Sequence, residues 1–196
     1  MRVVLASGNR GKLREFGQML ADSGVELLPL SEFKIEPAAE TAPTFVENAL
    51  AKARQAAAGS GLPAIADDSG LEVDALDGAP GVLSARYAGE PADDAANNRK
   101  LLAALEGRPP EARSARFRAV LVYLRHAADP APVIAEGVWE GRIAEAPRGS
   151  GGFGYDPLFE LPDGRTSAEL PAADKNRLSH RGQALANLRR RLATRR

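Results

Sequence analysis

The residues of this 196-residue chain that can do chemistry fall into four groups. The first is Ser7-Gly8-Asn9-Arg10-Gly11-Lys12, directly after the apolar run Val3 to Ala6. Glycines let a backbone approach an anion closely, a helix N-terminus offers unpaired N–H groups, and a lysine adds a point charge. Phosphate binding fits these residues, and so does a plain strand-to-helix turn. The spacing excludes a P-loop: only two residues separate Gly8 from Gly11, and Leu13 follows Lys12. The second group is Asp67-Asp68-Ser69-Gly70, after the apolar stretch Pro63 to Ala66. A carboxylate at the exit of a strand can ligate Mg²⁺ or deprotonate water, while the same residues also make an ordinary turn before glycine.

The third group is Glu40 with Asn48 and Lys52. The last two are four residues apart and share one helix face. A lysine beside an amide there can meet a triphosphate, or the pair can be a solvated flank. The fourth joins Gly152-Phe153-Gly154-Tyr155-Asp156-Pro157 to Lys175 and Ser179-His180-Arg181. Glycines around an aromatic expose a flat face for a base to stack on. An arginine donates to a keto oxygen but cannot accept from an exocyclic amine, so Arg181 would favour a 6-keto purine over adenine. The alternatives are a core aromatic for Phe153, a helix N-cap for Ser179 and a surface side chain for His180.

These residues need a scaffold, and the hydrophobic pattern predicts an α/β one. Val3 to Ala6 reads as a buried strand, and Lys12 to Asp22 as a helix with Leu13, Phe16 and Leu20 at helical spacing. Val25 to Leu30 is a second strand. Thr44 and Glu47 form a capping box that opens a helix running to about Ala58. Pro63 to Ala66 is a short strand ending at the acidic turn, and Leu71 to Gly89 mixes strand with loop. Asp93 to Leu105 is a helix whose acidic first turn suits the dipole. Arg116 to Arg125 and Val133 to Ala144 are long strands separated by a turn at Asp129-Pro130. Leu158 to Leu161 is short and apolar. Pro171 to Leu178 and His180 to Leu192 are helical, and the arginine-rich tail from Arg189 to Arg196 reads as a frayed, solvated end. One α/β domain around a long mixed sheet is the expected architecture.

Composition narrows the function. With 26 basic and 26 acidic side chains the net charge is zero, unlike the basic excess of a dedicated nucleic-acid binder. The chain has no cysteine, which excludes disulfides, a thiolate nucleophile and thiolate metal sites. The opening apolar run is too short for a signal peptide, and no stretch approaches the roughly 20 apolar residues that span a bilayer. A cytoplasmic protein without membrane or nucleic-acid partners is expected.

In order, Ser7 to Lys12, Thr44 to Ala49 with Lys52, Ala66 to Leu71, Gly78 to Gly81 with Ser84 to Tyr87, Gly151 to Pro157, Ala168 to Leu170, and Lys175 with Ser179 to Arg181 resemble the inosine/xanthosine triphosphate pyrophosphatase family. Together these segments cover nearly the whole chain. The resemblance implies an elongated mixed sheet between two α/β lobes with a substrate cleft, and a homodimer. It implies Mg²⁺-dependent hydrolysis of deaminated purine nucleoside triphosphates to the monophosphate and pyrophosphate. It assigns the triphosphate to residues 7 to 12, catalysis and metal to Asp68, a second metal contact to Glu40, and substrate contact to Ser69. Phe153, Gly154, Tyr155, Asp156, Lys175, His180 and Arg181 would surround the base, and Lys52 would join Lys12 in stabilising triphosphate charge. Two other readings stand beside it: a septum-formation-inhibitor type of nucleotide pyrophosphatase, which would lack the Ser-His-Arg element, and a non-catalytic nucleotide-binding module, which would not need Asp68 and Glu40.

Overall fold

The computed structural model describes residues 1–194. Arg195 and Arg196, the end of the basic tail, lie outside the described residues. Strand β1 (Arg2–Leu5) carries Val3, Val4 and Leu5, all fully buried. It pairs in parallel with β2 (Glu26–Pro29) on one side and with β3 (Ala64–Val73) on the other, with Val4 beside Leu28 and Ala64. A parallel strand flanked on both sides needs apolar residues on both its faces, which is why this run does not alternate. Strands β4 (Ser114–Leu124), β5 (Val133–Ile143) and β6 (Phe159–Glu160) complete a six-stranded mixed sheet in the order β2-β1-β3-β4-β5-β6, with β6 antiparallel to β5.

The helices follow their sequence signals. Helix α1 (Arg10–Leu20) buries Phe16 and Leu20. Helix α2 (Phe45–Ser60) starts at Thr44, whose Oγ1 accepts the Glu47 N–H at 3.3 Å and donates to Glu47 Oε2 at 2.5 Å. It stops at Gly61, which takes the left-handed φ of +68° that suits glycine. Helix α3 (Asp94–Ala104) is capped by Asp93, whose side chain accepts from Ala95 and Ala96 N–H groups. Helices α4 (Ala172–Leu178) and α5 (His180–Ala193) close the chain. Asp129 organises the β4–β5 connection by accepting the Arg125 and Ala131 N–H groups, each at 3.0 Å. No helix among the described residues is long and apolar enough to cross a membrane.

The acidic segment differs from expectation. Asp67-Asp68-Ser69-Gly70 is not a turn after a short strand; it lies inside the ten-residue β3, with both aspartates buried. Buried carboxylates can stay in a strand only when cations reach them, and here they do, as described below.

The chain forms two compact units. One comprises Met1–Asp68, Ala119–Gly137 and the residues from Arg181 onward; its core is built from Val3, Leu5, Phe16, Leu121, Leu185 and Leu188, among others. The second comprises Ser69–Arg118 and Val138–His180, with a core that includes Leu71, Leu101, Phe117, Trp139, Tyr155 and Phe159.

Candidate active site

In the first unit, β1 has parallel neighbours on both sides, so the chain leaves its carboxyl end at a topological switch point, where open α/β sheets place ligands. Residues Ser7 to Asn9 occupy that exit. Asn9 caps α1 by accepting the Lys12 N–H on Oδ1 at 3.0 Å, and the Asn9 N–H donates to Ser7 Oγ at 3.2 Å. Gly8, Asn9 and Arg10 are exposed, while Gly11 is buried. A Cβ on Gly8 would fall 2.9 Å from Pro37 Cγ, so the loop closes tightly there. The Lys12 ammonium turns inward, 2.7 Å from Asp67 Oδ2.

Consecutive side chains on a strand point to opposite faces, and β3 gives its two aspartates different company. Asp67 Oδ2 accepts from Lys12 Nζ and from Arg181 Nε at 3.2 Å, and Arg181 Nη1 also reaches Glu15 Oε2 at 3.1 Å. Asp68 Oδ1 accepts from Lys52 Nζ at 2.6 Å, and its Oδ2 accepts from Asn48 Nδ2 at 3.3 Å. Lys52 Nζ also donates to Glu40 Oε1 at 2.6 Å and to the Asp67 carbonyl at 2.8 Å. That matches an acceptor to each hydrogen of the ammonium. Asn48 holds the irregular Glu40 segment to α2, accepting the Ala42 N–H at 2.9 Å and donating to the Ala42 carbonyl at 3.2 Å.

The proton affinities of the adjacent carboxylates are therefore shifted in opposite directions. Burial pushes Asp68 above the ordinary carboxylate range, and Lys52 only partly opposes this. For Asp67 burial acts the same way, but Lys12 and Arg181 outweigh it and hold the group well below that range. Burial would lower Lys52, yet Asp68 and Glu40 outweigh it and raise the ammonium above its usual value. Glu40 falls below its own value because Lys52 overcomes the cost of burial. Lys12 is lowered, chiefly by burial. The two acids therefore differ in proton affinity because they face different cations: Lys12 and Arg181 for Asp67, Lys52 for Asp68.

The same geometry tests the fit of a metal. Asp68 and Glu40 both reach a single cationic nitrogen, so two hard oxygen donors converge on one point. Among the described residues no group of three or more His, Asp or Glu side chains gathers at a metal-binding distance. Two carboxylates with substrate phosphates and water as the remaining ligands suit Mg²⁺, which seldom uses an all-protein cage.

In the second unit, Asp156 is the organiser. It is buried, and its Oδ2 accepts the Phe153 N–H at 2.8 Å and Lys175 Nζ at 2.5 Å, while Oδ1 accepts the Ser167 hydroxyl at 2.6 Å. Gly152, at a φ of +74°, has no room for a side chain: a Cβ would lie 1.9 Å from Asp156 Oδ2. Phe153 is half-buried, and the Lys175 ammonium sits 5.2 Å from its ring centroid. Tyr155 packs in the core, its hydroxyl donating to the Ser84 carbonyl at 2.8 Å. His180 is not a surface residue: it is 2% exposed and stacks on Phe117 at 4.8 Å between centroids. Ser69 is half-buried in β3.

The structure thus gathers Lys12, Glu40, Asn48, Lys52, Asp67, Asp68 and Arg181 in one unit, and Phe153, Asp156 and Lys175 in the other. Sequence reasoning missed Glu15, although its place three residues after Lys12 on α1 signals a shared face. It also missed Asp94 and Asn98, which contact Gly154.

Residues 3–191 match the profile of the Ham1 family. A dITP/XTP pyrophosphatase of Thioalkalivibrio sulfidiphilus is 62% identical, with 98% of each chain covered. One of Vibrio parahaemolyticus is 58% identical over 95% of this chain and 94% of its own. A HAM1 protein from Coxiella burnetii superimposes with a TM-score of 0.89 at 51% identity, covering 99% of both chains. A nucleoside-triphosphatase, dITP/XTP pyrophosphatase, from Mycobacterium abscessus gives 0.75 at 46% identity, covering 96% of this chain and 97% of that one. With matching sequence along nearly its whole length and a matching fold, this chain belongs to the Ham1 family.

Proposed function

We infer that this protein is a nucleoside triphosphate pyrophosphatase that hydrolyses deaminated purine nucleoside triphosphates, such as dITP, ITP and XTP, to the nucleoside monophosphate and pyrophosphate. It clears these nucleotides from the precursor pool. The observation that carries the reading is the buried cluster on β3, where Asp67 meets Lys12 and Arg181 while Asp68 and Glu40 converge on Lys52. Its support in relatives is the shared name dITP/XTP pyrophosphatase at 55–62% identity.

Asp68, the carboxylate with raised proton affinity, takes a proton from water. The water oxygen forms a bond to the α-phosphorus, the bond from that phosphorus to the bridging oxygen breaks, and pyrophosphate leaves with the electron pair. Residues Ser7 to Lys12 hold the triphosphate, with Lys12 and Lys52 offsetting its charge. Asp67 stays ionised and keeps Lys12 and Arg181 in place. Asp68 and Glu40 would hold Mg²⁺, which when bound neutralises phosphate oxygens and orients the chain of phosphates. Ser69 contacts the substrate. Phe153 stacks on the base, Gly154, Tyr155, Asp156, Lys175 and His180 contribute to base recognition, and Arg181 favours a 6-keto group. The protein works as a homodimer in the cytoplasm.

The test is a product assay across a nucleotide panel with and without Mg²⁺. Inosine monophosphate and pyrophosphate from ITP, with little turnover of ATP and none without the metal, are expected. Release of orthophosphate, or nucleotide binding without turnover, overturns the reading.

A further inference from the structure

Helix α3 contributes two side chains that no motif singled out. Asp94 and Asn98 are four residues apart and share a helix face. Asp94 Oδ2 accepts the Gly154 N–H at 2.7 Å, and Asn98 Nδ2 donates to the Gly154 carbonyl at 2.8 Å. Both backbone groups of one glycine are thereby gripped from a single helix. Gly154 has a φ of +62°, a conformation that glycine adopts readily and that it would also leave readily without such a grip.

The amide of Asn98 is fixed in orientation. Its second Nδ2 hydrogen goes to the Asp94 carbonyl at 2.9 Å, so a flipped amide would face two carbonyl oxygens with a third. Its own Oδ1 is buried and has no hydrogen-bond partner among the described residues. A buried acceptor left in that state is destabilising, so the side chain is placed there for its donors. Phe153, the neighbour, has its N–H held by Asp156 at 2.8 Å. Asp156, Asp94 and Asn98 thus fix successive backbone groups along the aromatic segment.

We propose that Asp94 and Asn98 are positioning residues for base recognition: by clamping the Gly154 peptide groups they set the pose of the Phe153 ring against the purine. The proposal rests on the function inferred above. Asn98→Asp is nearly isosteric and turns the Nδ2 donor into an oxygen facing two carbonyls. Asp94→Ala removes the acceptor for Gly154, whereas Asp94→Asn retains one.

The measurements are KM and kcat for ITP, the inhibition constant of pyrophosphate, which has no base, and Tm. The loss of a hydrogen bond predicts that Asn98→Asp and Asp94→Ala each raise KM for ITP about tenfold, with kcat and the pyrophosphate constant within about twofold of wild type. Asp94→Asn restores KM to within about threefold of wild type. An unchanged KM in Asp94→Ala, or a parallel rise in KM and the pyrophosphate constant, overturns the clamp. The comparison of Asp94→Ala with Asp94→Asn decides the matter if Asn98→Asp does not fold. Wild type that fails to turn over ITP removes the functional reading itself, and the clamp with it, whereas normal wild type with unaffected variants removes the clamp alone.

Discussion

The two site-bearing regions of this protein are held together by different physics. In the first unit, side chains hold side chains: Lys12 and Arg181 grip Asp67, while Lys52 bridges Asp68 and Glu40. In the second unit, side chains hold backbone: Asp156 fixes the Phe153 N–H, and Asp94 and Asn98 fix Gly154. Charge stabilises the first arrangement, and removing a member leaves an uncompensated buried ion. Hydrogen bonds to a glycine-rich turn hold the second beside one buried pair, Asp156 with Lys175; there losing Asp94 or Asn98 frees a conformation, and only the loss of Lys175 or Asp156 strands a charge. In the proposed reaction the first region moves protons and neutralises phosphates, which calls for tuned proton affinities, and buried ion pairs supply them. In the same proposal the second region receives a flat base, which calls for orientation, and backbone contacts supply it.

That contrast can be broken or sharpened by four changes, in order of expected effect. Asp68→Asn should lower kcat for pyrophosphate release by about 10³-fold, within the range for a lost general base. Turnover near wild type would end the claim that Asp68 is the proton acceptor. Lys52→Met leaves Asp68 and Glu40 facing each other without their shared cation. It should destabilise the fold by about 3 kcal/mol in urea titration, and Mg²⁺ should raise Tm more for this variant than for wild type. Equal shifts with the metal would separate Glu40 and Asp68 from metal binding. Phe153→Ala should weaken ITP through KM by about 1–2 kcal/mol, as for a lost stacking partner, with stability less changed than in Lys52→Met. A fall in kcat with constant KM would place Phe153 with the chemistry instead.

The smallest effect tests charge in the second unit, away from the aromatic turn. Glu160 is buried and accepts from Arg142 Nε at 2.6 Å and Arg148 Nη2 at 2.8 Å. Burial opposes its ionisation, but the two arginines outweigh it and lower its proton affinity. A carboxylate lowered in the folded state adds stability above its unfolded value of about 4.3, and that increment is lost as pH falls through the folded value. Both arginines are about half exposed, so the increment should stay below about 1 kcal/mol. Urea midpoints of wild type and Glu160→Gln should differ at pH 6 and converge towards pH 3. Midpoints that stay equally far apart at both values would assign the difference to packing.

Much of the scaffold was legible in the chain. The unbroken apolar run of Val3 to Leu5 marks a strand with neighbours on both sides, because only such a strand buries every side chain. Thr44 with Glu47 announces a helix start through a local hydrogen bond that spans three residues, and Asp93, expected in the first turn of its helix, proves to be the cap that precedes it. The acidic segment was misread as a turn for an equally local reason: two aspartates before Ser-Gly have low strand propensity. What keeps them in β3 is cations that propensity cannot register.

By itself, the sequence determined the α/β alternation, the places of the helices to within about two residues, and the residue types in each candidate group, since these depend on neighbours along the chain. Only the tertiary structure decided how those residues are paired. It split Asp67 from Asp68, turned Lys12 inward, buried His180 against Phe117 and brought Asp94 and Asn98 to Gly154. Each outcome depends on distant partners: Lys12 and Asp67 are 55 positions apart, Asn98 and Gly154 are 56, and Arg181 and Asp67 are 114. A proton affinity is set by burial and by the charges a few ångströms away, and neither is a property of adjacent residues. The sequence supplied two adjacent aspartates, and folding set one against Lys12 and Arg181 and the other against Lys52 and Asn48, shifting their proton affinities in opposite directions.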